Sequence, residues 1–107
     1  MIKNPDTYIK NMLRDYRRNA EKSGKVFVLS VDEFKVLIFQ ACHYCDSPPS
    51  LRPTGAIPVN GIDRVDSSIG YVLSNCVPCC TTCNKMKSSL SLQDFKNAIR
   101  KIYEKGV

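Results

Sequence analysis

Apolar residues recur at intervals of three and four along the first forty positions, which is the spacing of one face of an amphipathic helix. The first predicted helix opens at Asn4-Pro5, an N-cap followed by a first-turn proline, and ends at Gly24. The second begins at the capping box of Ser30 and Glu33 and runs to about Gln40. The predicted inward positions are Tyr8, Ile9, Met12, Leu13, Tyr16 and Ala20 in the first helix, and Phe34, Leu37, Ile38 and Phe39 in the second.

The later part of the chain changes from helical spacing to short segments separated by turn residues. "KVFVL", between the first two helices, predicts an extended segment, "AIPVNGIDRVD" a strand, and "YVLSNCV" its antiparallel partner. "TCNKMKSS" starts a short helix, and a last helix opens with a capping-box variant at Ser91 and Asp94. Its predicted inward positions are Leu92, Phe95, Ala98, Ile99 and Ile102. This order of helices and strands predicts an α+β fold.

Length and charge limit the classes of protein that the chain can represent. Its 107 residues suit one domain, and its net charge of +6 favours binding to polyanions, chiefly nucleic acid. A basic surface that only keeps the protein in solution is the alternative, and composition does not separate the two. No apolar run approaches the roughly 18 residues of a membrane span, and the N-terminus lacks the pattern of a signal peptide. We therefore expect a protein of the reducing cytoplasm that does not enter a membrane.

The six cysteines suggest a metal site, because paired C-x-x-C spacing in a reducing compartment is typical of zinc. Cys42-x-x-Cys45 and Cys80-x-x-Cys83 are two such pairs, separated by 34 residues. Two C-x-x-C turns can complete a tetrahedron of thiolates, and four thiolates leave no open coordination position. The zinc is therefore expected to hold the fold and to take no part in chemistry.

Two further cysteines leave an alternative open. Cys76-x-x-Cys79 overlaps the second pair, so one or both of these residues could bind the metal instead. We favour Cys80 and Cys83 because they adjoin the predicted helix, which makes Cys76 and Cys79 small buried packing residues.

"CHYC" followed by "IDRVDSSIGYVLSNCVPCCTTCNKMKS" resembles the HNH endonuclease superfamily, which has the ββα-metal (His-Me finger) fold. The resemblance covers about residues 41–89 and is greatest to the short stand-alone HNH proteins of phages. It implies two antiparallel strands and a helix around one catalytic Mg²⁺ or Mn²⁺ ion, braced by a four-cysteine structural zinc site. The implied activity is that of a metal-dependent DNA endonuclease or nickase acting on double-stranded DNA, in the host cytoplasm if the protein is phage-encoded.

Carried over by position, the resemblance assigns a role to four polar residues. Asp63 takes the place of the metal-binding aspartate, Asn75 that of the asparagine that fixes the loop, and Asn84 that of a second metal contact. Arg64 falls where the family has its water-activating histidine. An arginine cannot act as a general base, but it can clamp a phosphate and stabilise a negative transition state.

The departure at Arg64 does not by itself imply inactivity, since a restriction enzyme of the superfamily is similar there. The base must then come from elsewhere, and four candidates stay open: Asp66, Tyr71, His43 and Lys25. The alternative is a catalytically inactive HNH-fold zinc module that binds nucleic acid or a protein partner.

Basic residues on the predicted helices and directly after the first one are candidates for contacts to DNA phosphates, with a solvated surface as the competing interpretation. They are Arg17, Arg18, Lys25, Lys85 and Lys87. No base-reading element is evident, so we expect weak sequence preference or recognition by a homodimer. We divide the chain into an N-terminal helical segment, residues 1–40, that packs on a zinc-stapled core with a C-terminal helix, residues 41–107, within one compact domain.

Overall fold

The computed structural model describes residues 4–53, 55 and 57–106. Its elements are α1 (Pro5–Lys22), α2 (Val31–Ile38), β1 (Gly61–Arg64), a 3-10 turn (Leu73–Asn75), β2 (Cys76–Cys79), α3 (Thr81–Lys87) and α4 (Leu92–Lys105). The strands form a two-stranded antiparallel sheet in which Asp63 lies opposite Val77, and α3 follows β2 directly. The predicted α+β fold with a ββα core and flanking helices is confirmed.

Side-chain caps start the helices where the sequence predicts them. The Asn4 side chain accepts a hydrogen bond from the Asp6 amide at 2.8 Å, and Ser30 and Glu33 form the complete capping box of α2. Ser91 caps α4 by accepting from the Asp94 amide at 3.1 Å. These local signals do not depend on tertiary packing, which explains why the sequence predicts the starts correctly.

A hydrophobic core joins the first two helices to the sheet. It contains Ile9, Leu13, Leu29, Phe34, Leu37, Ile38, Val59, Ile62 and Cys76. A second cluster of buried residues consists of Cys42, Cys79 and Cys83, and it includes one cysteine of each C-x-x-C pair. Strand β2 therefore contributes to both clusters, through Cys76 and Cys79. The proposed division of the chain at residue 40 stays a prediction.

Four residues predicted to face inward are exposed instead. α2 ends at Ile38, and Phe39, its C-cap residue, is 47% exposed. In α4 only Phe95 is buried, whereas Ile99 and Ile102 are 44% and 59% exposed, and Ala98 is exposed as well. The prediction for the α4 face is wrong because helical spacing identifies an apolar stripe but not whether the chain covers it.

The strands are shorter than predicted. The segment "KVFVL" makes only an isolated bridge, between Phe27 and Tyr71. In the predicted partner strand "YVLSNCV", residues Leu73–Asn75 form a 3-10 turn instead, so β2 starts only at Cys76. A Cβ at Gly70 would lie 2.6 Å from the Val26 carbonyl oxygen, so glycine is required where the two segments cross. Ala56, at the start of the first predicted strand, lies outside the described residues. None of the described helices combines the length and hydrophobicity needed to cross a membrane.

Candidate functional site

The Sγ atoms of Cys42, Cys45, Cys80 and Cys83 all lie within 4.8 Å of one another, with 3.6 Å between those of Cys45 and Cys80. A tetrahedral zinc with Zn–S bonds of about 2.3 Å requires sulfur atoms roughly 3.8 Å apart. The cluster can therefore hold a metal ion such as zinc, and its four thiols leave no position for substrate.

Backbone geometry directs the four sulfur atoms to one point. The Asp46 amide donates to the Cys42 carbonyl at 2.9 Å, which closes the first C-x-x-C turn, and Asp46 has a positive φ of 68°. Cys80 is the N-cap of α3, where its Sγ accepts from the Cys83 amide at 3.4 Å. A short helix start and a tight turn thus supply two ligands each.

The thiols of the cluster do not ionise alike. Burial raises the pKa of Cys42, but backbone amides, that of Cys80 first among them, outweigh burial and lower its pKa to about 6. Burial, followed by hydrogen bonding with the other three thiols, raises the pKa of Cys83. The Cys83 thiol therefore keeps its proton at neutral pH unless a cation favours its thiolate, as a structural zinc would.

Cys76 and Cys79 lie outside this cluster. Both are buried, at 6% and 1% exposure, and burial raises their pKa to about 11 and about 12. They are neutral thiols at physiological pH and pack as small apolar side chains.

A cleft of about 540 Å³ is lined by residues of α1, β1 and α3. Asp63 and Arg64, at the end of β1, and Asn84, on α3, all line it. The two residues predicted to bind a catalytic metal, Asp63 and Asn84, thus face one cavity. Other lining residues include Tyr16, Arg52 and Tyr71.

The Asp63 carboxylate is only 6% exposed and is held from two sides. Tyr44, inside the first C-x-x-C turn, donates a hydrogen bond of 2.6 Å to Oδ2. The Lys87 ammonium lies 3.3 Å from Oδ2 and 3.4 Å from Oδ1, and also donates to the Arg64 carbonyl at 3.1 Å. Burial and the nearby Asp63 raise the pKa of Tyr44, so Tyr44 keeps the proton that it donates.

Lys87 is not the surface phosphate contact that the sequence predicts. Its side chain is fully buried, and its charge is paired with Asp63 across 24 positions of sequence. A lysine at the C-terminal end of an exposed-looking helix is ordinarily solvated, so its burial follows only from the packing of α3 against β1.

Arg64 reaches into the cleft with its guanidinium over the Tyr71 ring, 5.1 Å from the centroid. Its Nη1 donates to the carbonyls of Ser67 at 3.0 Å and Ile69 at 3.2 Å. These contacts fix the arginine beside Asp63 and leave further N–H groups for an anion.

Asn75 fastens the loop between the strands. Its Oδ1 accepts from the Asp66 amide at 2.9 Å, and its Nδ2 donates to the carbonyls of Asp66 at 3.0 Å and Gly70 at 3.1 Å. The side chain is buried at 7% exposure. Since the same loop supplies the carbonyls that hold Arg64, Asn75 acts on the cleft through the backbone.

Tyr71 is the only one of the four candidate bases among the lining residues of the cleft in the described part of the chain. Burial raises its pKa, so it retains its proton at neutral pH. Asp66 is exposed and bonded to Ser68, which lowers its pKa, while His43 packs edge-on against Tyr44. Lys25 donates to the Ser68 carbonyl at 3.1 Å. None of these four candidates thus places an unprotonated base in the cleft.

The remaining predicted DNA contacts are spread over α1, the segment after it, and α3. Arg17 lies 5.6 Å from the Phe27 ring centroid, while Arg18 and Lys85 are exposed. Over residues 4–53, 55 and 57–106, none of these three pairs with a carboxylate, nor does Lys25. Their role in binding DNA stays a prediction.

Sequence reasoning missed Tyr44 and Lys87 as partners of Asp63. A signal for Lys87 is present, because it follows Asn84 by three positions and so shares its helix face. Tyr44 carries no such signal, since its contact depends on the cysteine turn packing against β1.

We predict that Tyr44→Phe weakens any activity that depends on Asp63 by about tenfold while zinc stays bound. The variant removes a hydrogen bond to a charged group, worth about 1.5–3 kcal/mol, but keeps the ring that packs on Phe95. Plasmid nicking and metal content measure the two effects. Tyr103→Phe, at a residue 84% exposed, is the control, and equal activity in the two variants would refute a role for the Tyr44 hydroxyl.

No family model matches the chain. An uncharacterized protein of Acanthamoeba polyphaga mimivirus is 39% identical over 80 residues, which are 75% of this chain and 14% of that relative, so the chain spans a small part of its length. A solved structure of the rare-cutting HNH restriction endonuclease PacI is similar with a TM-score of 0.64 and 25% identity, over 92% of this chain and 82% of that one. Together with the two-stranded sheet and the four-cysteine cluster, this likeness shows an HNH-like fold.

Proposed function

We propose that the protein is a metal-dependent DNA endonuclease or nickase with a structural zinc ion at Cys42, Cys45, Cys80 and Cys83. The observation that carries the proposal is that Asp63, Arg64 and Asn84 line one cleft of an HNH-like fold. A nuclease-type function is also what the likeness to an HNH restriction endonuclease suggests.

The donors at the cleft fit a hard divalent cation. Oδ2 of Asp63 accepts the short hydrogen bond from Tyr44, whereas Oδ1 has only the 3.4 Å contact with Lys87. The Asn84 side chain is exposed and makes no hydrogen bond within the described residues. A carboxylate and an amide oxygen suit Mg²⁺ or Mn²⁺, and hydrogen-bonded carboxylates are typical metal ligands.

When bound, the cation would neutralise the negative charge that develops on the phosphate and on the leaving oxygen. Tyr44 and Lys87 hold the Asp63 carboxylate in place, and Asn84 supplies the second oxygen from α3. Arg64, fixed by the loop carbonyls and Tyr71, donates to the phosphate and stabilises its added charge. Arg17, Arg18, Lys25 and Lys85 would contact the backbone of double-stranded DNA outside the cleft.

We predict that the wild-type protein nicks supercoiled plasmid with Mg²⁺ or Mn²⁺, and that Asn84→Ala lowers the rate about a hundredfold. The loss follows from removing one of two oxygen donors, and such a factor corresponds to roughly 2.7 kcal/mol. Asn11→Ala, at an exposed position of α1, is the matched control. Plasmid left equally intact by wild type and Asn84→Ala across both metals would rule out the enzyme.

The competing function is a catalytically inactive HNH-fold module that binds nucleic acid. Two observations favour it: Lys87 already neutralises Asp63, and none of the four candidate bases provides an unprotonated group in the cleft. Salt-sensitive DNA binding without nicking in any metal would establish this function in place of the first.

A further inference from the structure

One wall of the cleft is formed by Tyr16 on α1 and by Arg52 in the segment before β1. Neither residue belongs to the matched HNH motif. Tyr16 Oη accepts a hydrogen bond from the Ile62 amide at 3.0 Å, and its own proton has no acceptor within the described residues. Arg52 Nε is buried and lacks a hydrogen-bond partner among those residues.

The Tyr16 hydroxyl and the Arg52 guanidinium lie close together at the start of β1. A Cβ on Gly61 would lie 2.8 Å from Tyr16 Oη and 3.0 Å from Arg52 Nη2, so both groups pack against the bare backbone at the start of β1. The Tyr16 ring is fixed edge-on against Phe34 and Tyr71, with centroids 5.6 and 5.9 Å away. Gly61 stands two positions before Asp63, which brings the pair to the same cleft.

No carboxylate neutralises this wall in the described structure. Asp15 also lines the cleft, but it is exposed and pairs with Arg14 at 3.5 Å. Arg52 makes no ion pair with any described acidic side chain. A guanidinium whose Nη groups make no hydrogen bond with the described residues, next to a hydroxyl with a free proton, is a donor set that matches two oxygens of a phosphate.

We propose that Arg52 and Tyr16 form an anion site that takes the DNA backbone phosphate adjacent to the scissile one. The site rests on the proposed function, since its ligand belongs to the strand that Asp63, Asn84 and Arg64 act on. It makes α1 a wall of the substrate cleft as well as part of the hydrophobic core. The phosphate would accept hydrogen bonds from the Nη groups of Arg52, which make none with the described residues, and from the Tyr16 hydroxyl.

The first test uses inorganic phosphate on the zinc-loaded wild-type protein. The buried Nε–H of Arg52 should give a ¹⁵N-resolved NMR signal, and phosphate should shift it in a saturable way. An Arg52 signal that does not respond to phosphate, while the protein stays folded, would overturn the proposal. This measurement needs no variant, so it stands even where a substitution of Arg52 unfolds the chain.

The second test measures the affinity for double-stranded DNA as a function of salt. Arg52→Gln should weaken binding by about tenfold or more and reduce the slope of log affinity against log salt by roughly one. Arg100→Gln, on an exposed part of α4, is the matched control and should leave both unchanged. If wild type binds and nicks DNA but the two variants behave alike, the anion site is wrong and the nuclease stands. If wild type neither binds nor nicks DNA while phosphate still shifts Arg52, the nuclease and the DNA ligand are wrong, and the site binds a phosphate of another source.

Discussion

Replacing Asp63 with alanine should abolish nicking and also destabilise the protein by about 3–5 kcal/mol. Lys87 is fully buried, and loss of its partner leaves an uncompensated charge in the interior. Activity should fall by at least about a thousandfold, roughly 4 kcal/mol, because the anionic donor of the proposed metal site is gone. Denaturant unfolding and plasmid nicking measure the two losses separately.

A double variant separates the two roles of this carboxylate. Lys87→Met removes the buried charge with a side chain of similar length, so Asp63→Ala combined with Lys87→Met should recover most of the lost stability. Nicking should stay absent, since the recovered fold still lacks the carboxylate. Nicking by the double variant would show that Asp63 is structural only, and an undiminished stability of Asp63→Ala would show that the buried pair is weak.

Removing zinc should unfold the protein. Structural zinc contributes apparent free energies of about 10–16 kcal/mol in zinc-finger peptides, which exceeds the stability that a small domain otherwise has. Cys80→Ser should therefore lose both bound metal and far-ultraviolet circular dichroism, because Cys80 is at once a cluster thiol and the N-cap of α3. Prolonged chelation of the wild type should have the same effect.

Cys76→Ala is the matched control for the zinc experiment. Cys76 is also buried but lies in the apolar core, outside the four-cysteine cluster. The variant should keep a full complement of zinc by elemental analysis and lose only about 1 kcal/mol of stability. A folded, metal-free Cys80→Ser protein would contradict a structural role for the cluster.

Local signals in the sequence predict the ends of elements well, because capping depends on residues close in the chain. The caps at Asn4, Ser30 and Ser91 are all of this kind. The C-x-x-C pairs are equally local, although their convergence depends on the sheet. Hydrophobic spacing predicts burial less well, as the exposed side chains of Ile99 and Ile102 show.

The surroundings of Asp63 could not be predicted, since they arise from three segments that are distant in sequence. Tyr44 comes from the first cysteine turn and Lys87 from α3, and each reaches Asp63 only once the sheet and helix are packed. Arg52 and Tyr16 join the cleft for the same reason, through the bare backbone of Gly61. Lysine and arginine side chains usually lie at the protein surface, so a single sequence does not indicate which of them are buried.

The proposed function requires that Asp63 and Asn84 together hold a divalent cation in the cleft. Anomalous diffraction from a crystal of the zinc-loaded protein soaked in Mn²⁺ would detect a cation at this position. We expect a manganese peak beside both side chains, separate from the zinc at the four cysteines, and loss of that peak in Asn84→Ala. The absence of a manganese peak between Asp63 and Asn84, in a crystal whose cleft is open to solvent, would show that these residues do not hold a cation.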